Sequence, residues 1–275
     1  MTRVTMAEVA EAVGVNKGTV SRALKGDSRI SPETRQKIWD TAKKLGYQLN
    51  VVASGLSSRR TGMIGAVIER METPFLGEFL SGVGGVLSRC KMELLLLEAD
   101  GRATSVQNAV QRLEGRKVDG LIWLGGPSCG AELNVPLICV GGAPREGAFR
   151  VALETARALS RVRLLAASRP VLYRRGPDAA MDFLAELDSP QGEGAPFVIW
   201  DGLRTLPEGE HPDLVCADSR LARWTGAYCL RYPARELGIL SARVLSNLLR
   251  ENGVRPRVTL VQPPLVTPAG ELVVG

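Results

Sequence analysis

The sequence predicts two structural classes in one chain, a small all-helical N-terminal domain and a larger α/β body. Capping residues and glycines bound three short helical segments within residues 1–49. From Met63 onward, apolar runs of strand length alternate with helical stretches, which is typical of parallel α/β layers. We therefore expect a helical domain over 1–49, a linker over 50–62 and a second domain over 63–275.

The distribution of charge separates the same two parts of the chain. Residues 1–62 hold 11 Lys+Arg against 5 Asp+Glu, so the whole net charge of +6 falls there and the remainder is neutral. A small cationic domain on a neutral body is favoured when the partner is a phosphate backbone, although basic segments are often merely solvated.

Composition excludes several other classes of protein. The 275 residues contain no apolar run of 18 or more, and Met1 to Ala10 lack the pattern of an export signal, so we expect no membrane partner and a cytoplasmic location. The five cysteines form no CxxC pair, which indicates reduced thiols rather than a disulfide framework or a zinc site. The sequence implies no metal and no cofactor.

Start and stop signals define the first two helices. Thr5 caps the first, with Glu8 completing a capping box, and Gly14 ends it. Asn16 caps the second helix, which ends near Gly26. The short separation between the two predicts a helix-turn-helix.

The third helix begins with Ser31 as cap and Pro32 at its first position, and Gly46 ends it. Apolar residues at helical spacing predict one shared core of Met6, Val9, Ala10, Val13, Val20, Leu24, Ile38, Ala42 and Leu45.

The other side of the second helix is polar and cationic. It presents Lys17, Gly18, Ser21, Arg22 and Lys25. Short side chains and hydroxyls can approach phosphates, and Arg22 can offer two parallel donors to a guanine in the major groove. From this helix alone, a solvated surface explains the pattern equally well.

Several motifs in one fixed order resemble the N-terminal region of the LacI (lactose-repressor) family. They are VAEAVGV, TVSRALKG, SPETR, LGYQLN and RRTGMIG. The resemblance implies a recognition helix from Val15 to Leu24, with Lys17 and Gly18 choosing bases and Arg22 reading one. It also implies contacts to phosphates or groove edges by Thr5, Asn16, Thr19, Ser21, Lys25, Ser31, Thr34 and Tyr47.

Gly18 departs from most relatives, because it has no side chain with which to read a base. The half-site is then specified mainly by Lys17 and Arg22. Alternatively, Gly18 avoids a clash with a thymine methyl or with the DNA backbone.

Residues 50–60 resemble the family's hinge helix, which folds on the operator. The resemblance adds Asn50 and Ala53 to the DNA-binding residues and places Leu56 where a leucine is wedged into the central base step of the minor groove. The alternative is an ordinary linker leucine buried against the body.

In the body, the sequence predicts strands at Met63 to Glu69, Glu93 to Glu98, Gly120 to Leu124, Val135 to Val140, Arg163 to Ala167, Phe197 to Trp200 and Leu214 to Ala217. It predicts helices beginning near Pro74 and Thr104, a helix from Ala234 to Glu251 and an extended end over Val258 to Val274.

This order resembles the family's regulatory domain, which is similar to periplasmic sugar-binding proteins and has two α/β lobes with a cleft between them. The matching segments are TPFLGEFLSGV, RKVDGLI, VPLICVG and PARELGILSARVLSNLL, and the match is poor between about 142 and 233.

The second lobe is expected to be truncated. In relatives, a helix and a strand follow the strand that Val215 to Asp218 resembles, yet here 15 residues, 219–233, separate it from Ala234. Because a helical crossover with its next strand usually needs about 30 residues, we expect at least one helix-strand unit to be missing.

The family's effector site is also incomplete. The resemblance leaves only Phe75, Arg175 and Asp218 as effector-binding candidates, and Arg175 is only near the family's arginine position. We expect that a sugar does not release this protein from DNA, while a rearranged cleft that still binds a small sugar is the alternative.

No catalytic constellation supports an enzyme. The chain has no phosphate loop and no GxSxG elbow, and its only histidine, His211, lies in a polar loop. The resemblance implies a homodimeric transcription regulator, with a repressor favoured, that binds a pseudo-palindromic double-stranded DNA operator. A small-molecule (sugar) binding module with ligand sensing as its main output is the alternative, and any effector's identity is unknown.

Overall fold

The computed structural model describes residues 4–24, 26–47, 60–72, 75–125, 133–141, 148–176, 179–202, 209, 211–216, 219–250 and 257–273. The chain divides into two compact units, residues 1–61 and 62–275.

The described residues of the N-terminal unit form three helices, α1 Met6–Val13, α2 Lys17–Leu24 and α3 Pro32–Lys44. The predicted capping box is confirmed, since Thr5 N donates to Glu8 Oε2 at 2.6 Å and Glu8 N donates to Thr5 Oγ1 at 3.4 Å. Gly14 ends α1 in the left-handed region at φ +77°, which a glycine adopts without strain.

The core of this unit contains most of the predicted side chains. Val9, Ala10, Val13, Val20, Ala23, Leu24, Ile38 and Ala42 are buried. The prediction that Leu45 belongs to the core is wrong, because this residue is 39% exposed. The helix ends at Lys44, and the Tyr47 N–H donates to the Ala42 carbonyl at 2.8 Å. Tyr47, rather than Leu45, packs against the core.

The second unit is built from eleven described strands, five described helices and a 3₁₀ helix over Asp182–Leu187. The strands are β1 Met63–Ile68, β2 Glu93–Glu98, β3 Gly120–Leu124, β4 Leu137–Val140, β5 Phe149–Leu153, β6 Val171–Arg175, β7 Phe197–Asp201, β8 Leu214–Cys216, β9 Tyr228–Leu230, β10 Val258–Val261 and β11 Leu265–Val266. The helices are α4 Leu76–Arg89, α5 Ala103–Gly115, α6 Thr155–Ala166, α7 Ser219–Thr225 and α8 Ala234–Leu249. Among the described residues, no helix has the length and apolar character that a membrane crossing requires.

Two sheets define two lobes. The first lobe has a parallel sheet in the order β10-β5-β4-β3-β1-β2. The second lobe has the order β11-β9-β8-β7-β6, in which only β11 is antiparallel to its neighbour. In the first lobe, α4 and α8 cover one face of the sheet and α5 covers the other, which accounts for the nearly continuous apolar strands.

Helices α4 and α8 cross at two glycines. A Cβ added to Gly82 would lie 2.3 Å from the Arg235 carbonyl oxygen, and one added to Gly238 would lie 2.2 Å from that of Phe79. Only residues without a Cβ allow the two backbones to approach this closely.

The sequence interpretation of the second lobe is wrong at Arg163 to Ala167. Residues up to Ala166 form the last turns of α6, whose buried side chains Ala158, Val162 and Ala166 recur every fourth residue. The strand lies later, at β6. The prediction failed because an apolar run this short does not distinguish a strand from the buried face of a helix.

The expected loss of a helix-strand unit before α8 is also wrong, since α7 and β9 both fit between β8 and α8. They fit because the helix has 7 residues and the strand 3. Apart from the connection from β8 to β9, the shortest link between neighbouring parallel strands of this lobe joins β7 to β8. It covers residues 202–213. Its length is close to the minimum of about a dozen residues for a parallel crossover.

Candidate nucleic-acid interface

Helix α2 is held so that one face is buried and the other is exposed. The Asn16 side chain caps it, since Oδ1 accepts from Thr19 N at 2.8 Å and from Thr19 Oγ1 at 3.1 Å. Val20, Ala23 and Leu24 pack into the core, whereas Lys17, Gly18 and Arg22 are exposed and Ser21 is half-buried. The structure thus brings the candidate base-reading residues together on one exposed face.

Arg22 lies back along this face over Gly18. Its Nε donates to the Gly18 carbonyl at 3.2 Å, and a Cβ at position 18 would lie 3.6 Å from the guanidinium and 3.2 Å from Asn16 Oδ1. A side chain here would therefore press on the helix cap. The position gives Gly18 a local packing reason that sequence reasoning did not supply.

The other candidate contacts in this unit lie at helix ends. Thr5 caps α1, and its N–H and hydroxyl bonds hold the pKa of Glu8 below its usual value. Ser31 caps α3 by accepting from Thr34 N at 3.2 Å, and its hydroxyl donates to Thr34 Oγ1 at 2.8 Å. Helix N-termini present backbone N–H groups that suit phosphate oxygens. Tyr47 is half-buried, with its ring against the core.

Sequence reasoning missed the loop between α2 and α3. Arg29 donates to the Asp27 carboxylate through Nε at 3.0 Å and Nη2 at 2.7 Å, and Arg35 of α3 donates to the Asp27 carbonyl at 2.8 Å. The signal in the sequence was an acid directly after the helix-ending Gly26, with an arginine two residues later.

Four predicted DNA-binding residues, Lys25, Asn50, Ala53 and Leu56, lie outside the described residues, as does Asp218 of the effector candidates.

In the body, Phe75 lies where the lobes join. The chain crosses between lobes at Glu154, 231–233 and 262–264, after the carboxyl ends of β5, β9 and β10. Ligands of parallel α/β sheets bind at such carboxyl ends. Phe75 stacks on Tyr232 of one crossing, with ring centroids 4.3 Å apart, and burial raises the pKa of Tyr232.

Arg175 lies at the carboxyl end of β6 and is paired with Asp182. Its Nε donates to Asp182 Oδ1 at 2.7 Å and its Nη2 to Oδ2 at 3.3 Å, with both side chains 60% exposed. The structure does not bring Arg175 into contact with Phe75.

Asp201, at the end of β7, is a buried carboxylate that sequence reasoning missed. It accepts from Tyr173 Oη at 2.8 Å, Met181 N at 2.9 Å and Ala180 N at 3.1 Å. Burial raises its pKa despite these hydrogen bonds, and burial together with the bond to Asp201 raises that of Tyr173.

Residues 5–50 match the family model described as bacterial regulatory proteins, lacI family. Catabolite control protein A of Priestia megaterium is 32% identical over 123 residues, which are 45% of this chain and 37% of that protein. The HTH-type transcriptional regulator pepR1 of Lactobacillus delbrueckii subsp. lactis is 30% identical over 121 residues, 44% of this chain and 36% of that protein. The chain thus spans little more than a third of the length of these relatives.

Among solved structures, the lac repressor dimer bound to operator and the anti-inducer ONPF is similar to this chain, with a TM-score of 0.71 at 18% identity. The match covers 97% of this chain and 98% of the lac repressor chain. This likeness shows a shared fold, and it confirms the predicted class of a helix-turn-helix head with a periplasmic-binding-protein-like body.

Proposed function

We propose that this chain is a transcription regulator of the lacI type that binds a specific double-stranded DNA operator, since residues 5–50 match the family model of these bacterial regulatory proteins. The observation that carries the proposal is the exposed face of α2, where Lys17, Gly18 and Arg22 lie on a helix fixed by its cap and its buried side. A rigid helix of this kind can enter the major groove with its polar side chains toward base edges.

Within this face, Arg22 is the residue that reads a guanine, and Lys17 is the second specifying side chain. Arg22 donates to a backbone carbonyl of its own helix through Nε, so its two terminal nitrogens can donate to the O6 and N7 of a guanine without unfolding the helix. Thr5, Asn16, Thr19, Ser21, Lys25, Ser31, Thr34 and Tyr47 supply phosphate or groove-edge contacts.

The regulator acts as a homodimer on a pseudo-palindromic site and represses transcription. One helix-turn-helix domain makes few contacts, whereas two domains related by a dyad read two half-sites at one spacing. Asn50 and Ala53 belong to the hinge, and Leu56 is the residue that opens the central base step from the minor groove.

Selection of bound duplexes from random DNA by the full-length chain tests this proposal. The expected product is a pair of inverted half-sites with a guanine in each. Recovery of no shared sequence would contradict specific DNA binding, and recovery of a single unrepeated half-site would contradict the dimer.

The body does not use sugar-induced release. Phe75 is stacked on Tyr232, and Arg175 is paired with Asp182. A polyol site depends on polar groups that are available to it, and two of the three effector candidates are engaged within the chain.

A further inference from the structure

The loop after α2 is fixed to that helix at its start. Gly26 is left-handed at φ +78°, and its N–H bonds to the Ala23 carbonyl at 3.1 Å. The N–H of Asp27 reaches back to the Arg22 carbonyl at 3.0 Å. This pair of bonds is a common way to end a helix, and it sets the position of the Asp27 backbone relative to Arg22.

The same loop is held from α3 by Arg35. Its Nη2 donates to the Asp27 carbonyl at 2.8 Å and to the Ile30 carbonyl at 3.2 Å, and Ile30 N donates to the Asp27 carbonyl at 3.2 Å. These hydrogen bonds hold the loop between α2 and α3.

The Asp27 carboxylate is directed to Arg29. Oδ1 accepts from the Arg29 backbone N–H at 3.0 Å and from Arg29 Nε at 3.0 Å, while Oδ2 accepts from Arg29 Nη2 at 2.7 Å. The Arg29 side chain is nevertheless 75% exposed, against 20% for Asp27. These hydrogen bonds keep the pKa of Asp27 well below its usual range, so the pair stays ionised at neutral pH.

We propose that Asp27 is a positioning residue of the DNA interface, which orients Arg29 toward one phosphate and cancels its charge at longer range. This inference rests on the proposed DNA binding, because Arg29 follows Arg22 and precedes Ser31 in the chain, and both are assigned to the operator. The helix dipole disfavours a carboxylate at the C-terminus of a helix, and the nearby guanidinium of Arg29 offsets this cost for Asp27.

The pair changes how affinity depends on sequence and salt. An unpaired arginine binds any phosphate and adds about one unit to the slope of log K against log[salt]. A paired arginine keeps its directional hydrogen bonds, but its net charge is close to zero. Asp27 thus lowers affinity for random DNA more than affinity for the operator.

The variant Asp27→Asn isolates the charge, since the amide oxygen still accepts from the Arg29 N–H and preserves the turn. Affinities of the full-length chain are measured for a selected duplex and for a random-sequence duplex of equal length over a range of salt. The expected result is about threefold tighter binding to the random duplex. Its salt slope should be steeper by about one, and the preference for the selected duplex should fall about threefold.

Asp40→Asn is the matched control, because it makes the same charge change on α3, where Asp40 accepts from Gln36 Nε2 at 3.0 Å. It should leave the preference unchanged. Arg29→Lys, which keeps the charge but loses the forked geometry, should lower the preference as Asp27→Asn does.

Wild-type preference and slope in Asp27→Asn, or equal changes in Asp40→Asn, would overturn the inference and leave DNA binding intact. Failure of the wild type to prefer any selected duplex would overturn the proposed function and the inference with it.

Discussion

Arg22 combines an exposed guanidinium with a backbone contact that holds its side chain along α2. We expect Arg22→Ala to weaken operator binding by about 1–3 kcal/mol and to relax the choice of base at one position, since a bidentate contact to guanine discriminates by that amount. Binding to duplexes with each base substituted in turn measures both effects.

Lys44→Ala is the control for this experiment, because Lys44 is an exposed cation in the last turn of α3 with no assigned base contact. It should weaken binding to all duplexes alike. Uniform weakening by Arg22→Ala as well would reduce Arg22 to a phosphate contact and contradict its role as a base reader.

Asp201 is expected to add stability to the folded protein as the pH falls, which is the opposite of the usual effect of a carboxyl group. Its pKa in the folded protein lies above the usual 3.8, chiefly because burial disfavours the charged form, with repulsion from Asp182 adding to it. The folded state therefore binds the proton more tightly than the unfolded chain does. Acidification from neutral pH through the raised pKa adds stability from this group, and a rise in pH through the same range removes it.

Two variants separate the charge of Asp201 from its hydrogen bonds. Asp201→Asn keeps an acceptor oxygen without charge, so the wild type should gain stability relative to this variant as pH falls from 7 toward about 4. Asp201→Ala leaves the N–H groups of Ala180 and Met181 without their acceptor, and leaves the Tyr173 hydroxyl only the longer contact to Asp182 at 3.4 Å, so it should cost about 3 kcal/mol. Urea unfolding across this pH range measures both, and parallel pH profiles for wild type and Asp201→Asn would contradict the assignment.

The crossing of α4 and α8 sets the geometry of the first lobe at the scale of elements. Because a Cβ on Gly82 would meet a backbone carbonyl rather than a movable side chain, the helices must separate in Gly82→Ala. We expect a loss of about 1–3 kcal/mol, the usual cost of overpacking. The shift of the urea midpoint of unfolding measures it.

Gly84→Ala is the matched control within the same helix, since a Cβ at Gly84 meets nothing within 4 Å among the described residues. Alanine is favoured over glycine in a helix interior by about 0.5–1 kcal/mol, so this variant should be slightly more stable than wild type. Equal destabilisation by both substitutions would show that helix α4 tolerates no change, irrespective of the crossing.

The N-terminal helices were predictable because their signals are local. Thr5, Ser31 and Gly14 act within one turn of the helix ends that they define. In the body, the sequence also predicted β1 to β4. The predicted β1 ended one residue later than the strand in the structure, and the predicted β4 began two residues earlier.

The second lobe was less predictable because its elements are short and their pairing is not local. Helix α6 begins after Glu154 rather than after a residue that typically caps a helix, and β9 and β11 have only 3 and 2 residues. The Asp201 cluster joins β6, β7 and the segment before the 3₁₀ helix, so no single window of sequence contains it. The exposure of one α2 face, by contrast, followed from its helical period, whereas the base-reading role of that face was implied only by the family resemblance.

At the scale of the whole molecule, charge and chemistry are divided between the two units. The net charge of +6 falls within residues 1–62, whereas the body holds equal numbers of acidic and basic residues. The body therefore contributes little to long-range attraction for DNA. Any control that it exerts must come from ligand binding, from dimer geometry or from a protein partner.

The last prediction concerns a ligand of the body. In a parallel α/β fold the site is expected at the carboxyl ends of the strands, where the chain crosses between the lobes. There, Tyr232 packs against the cores of both lobes and is covered by Phe75, and the carboxylate of Asp201 is already satisfied within its own lobe. A sugar hydroxyl would have to displace these internal partners, and each displaced buried group costs about 1–3 kcal/mol.

We therefore expect common mono- and disaccharides, titrated to millimolar concentration, to leave the complex of full-length protein and selected duplex intact. Fluorescence anisotropy of the labelled duplex measures release, and added salt is the positive control, because it dissociates the phosphate contacts regardless of the body. Release at micromolar sugar would show that the cleft opens to a polyol despite its internal bonds. In that case the body is a sugar sensor, and the pairing of Arg175 with Asp182 must give way when the ligand binds.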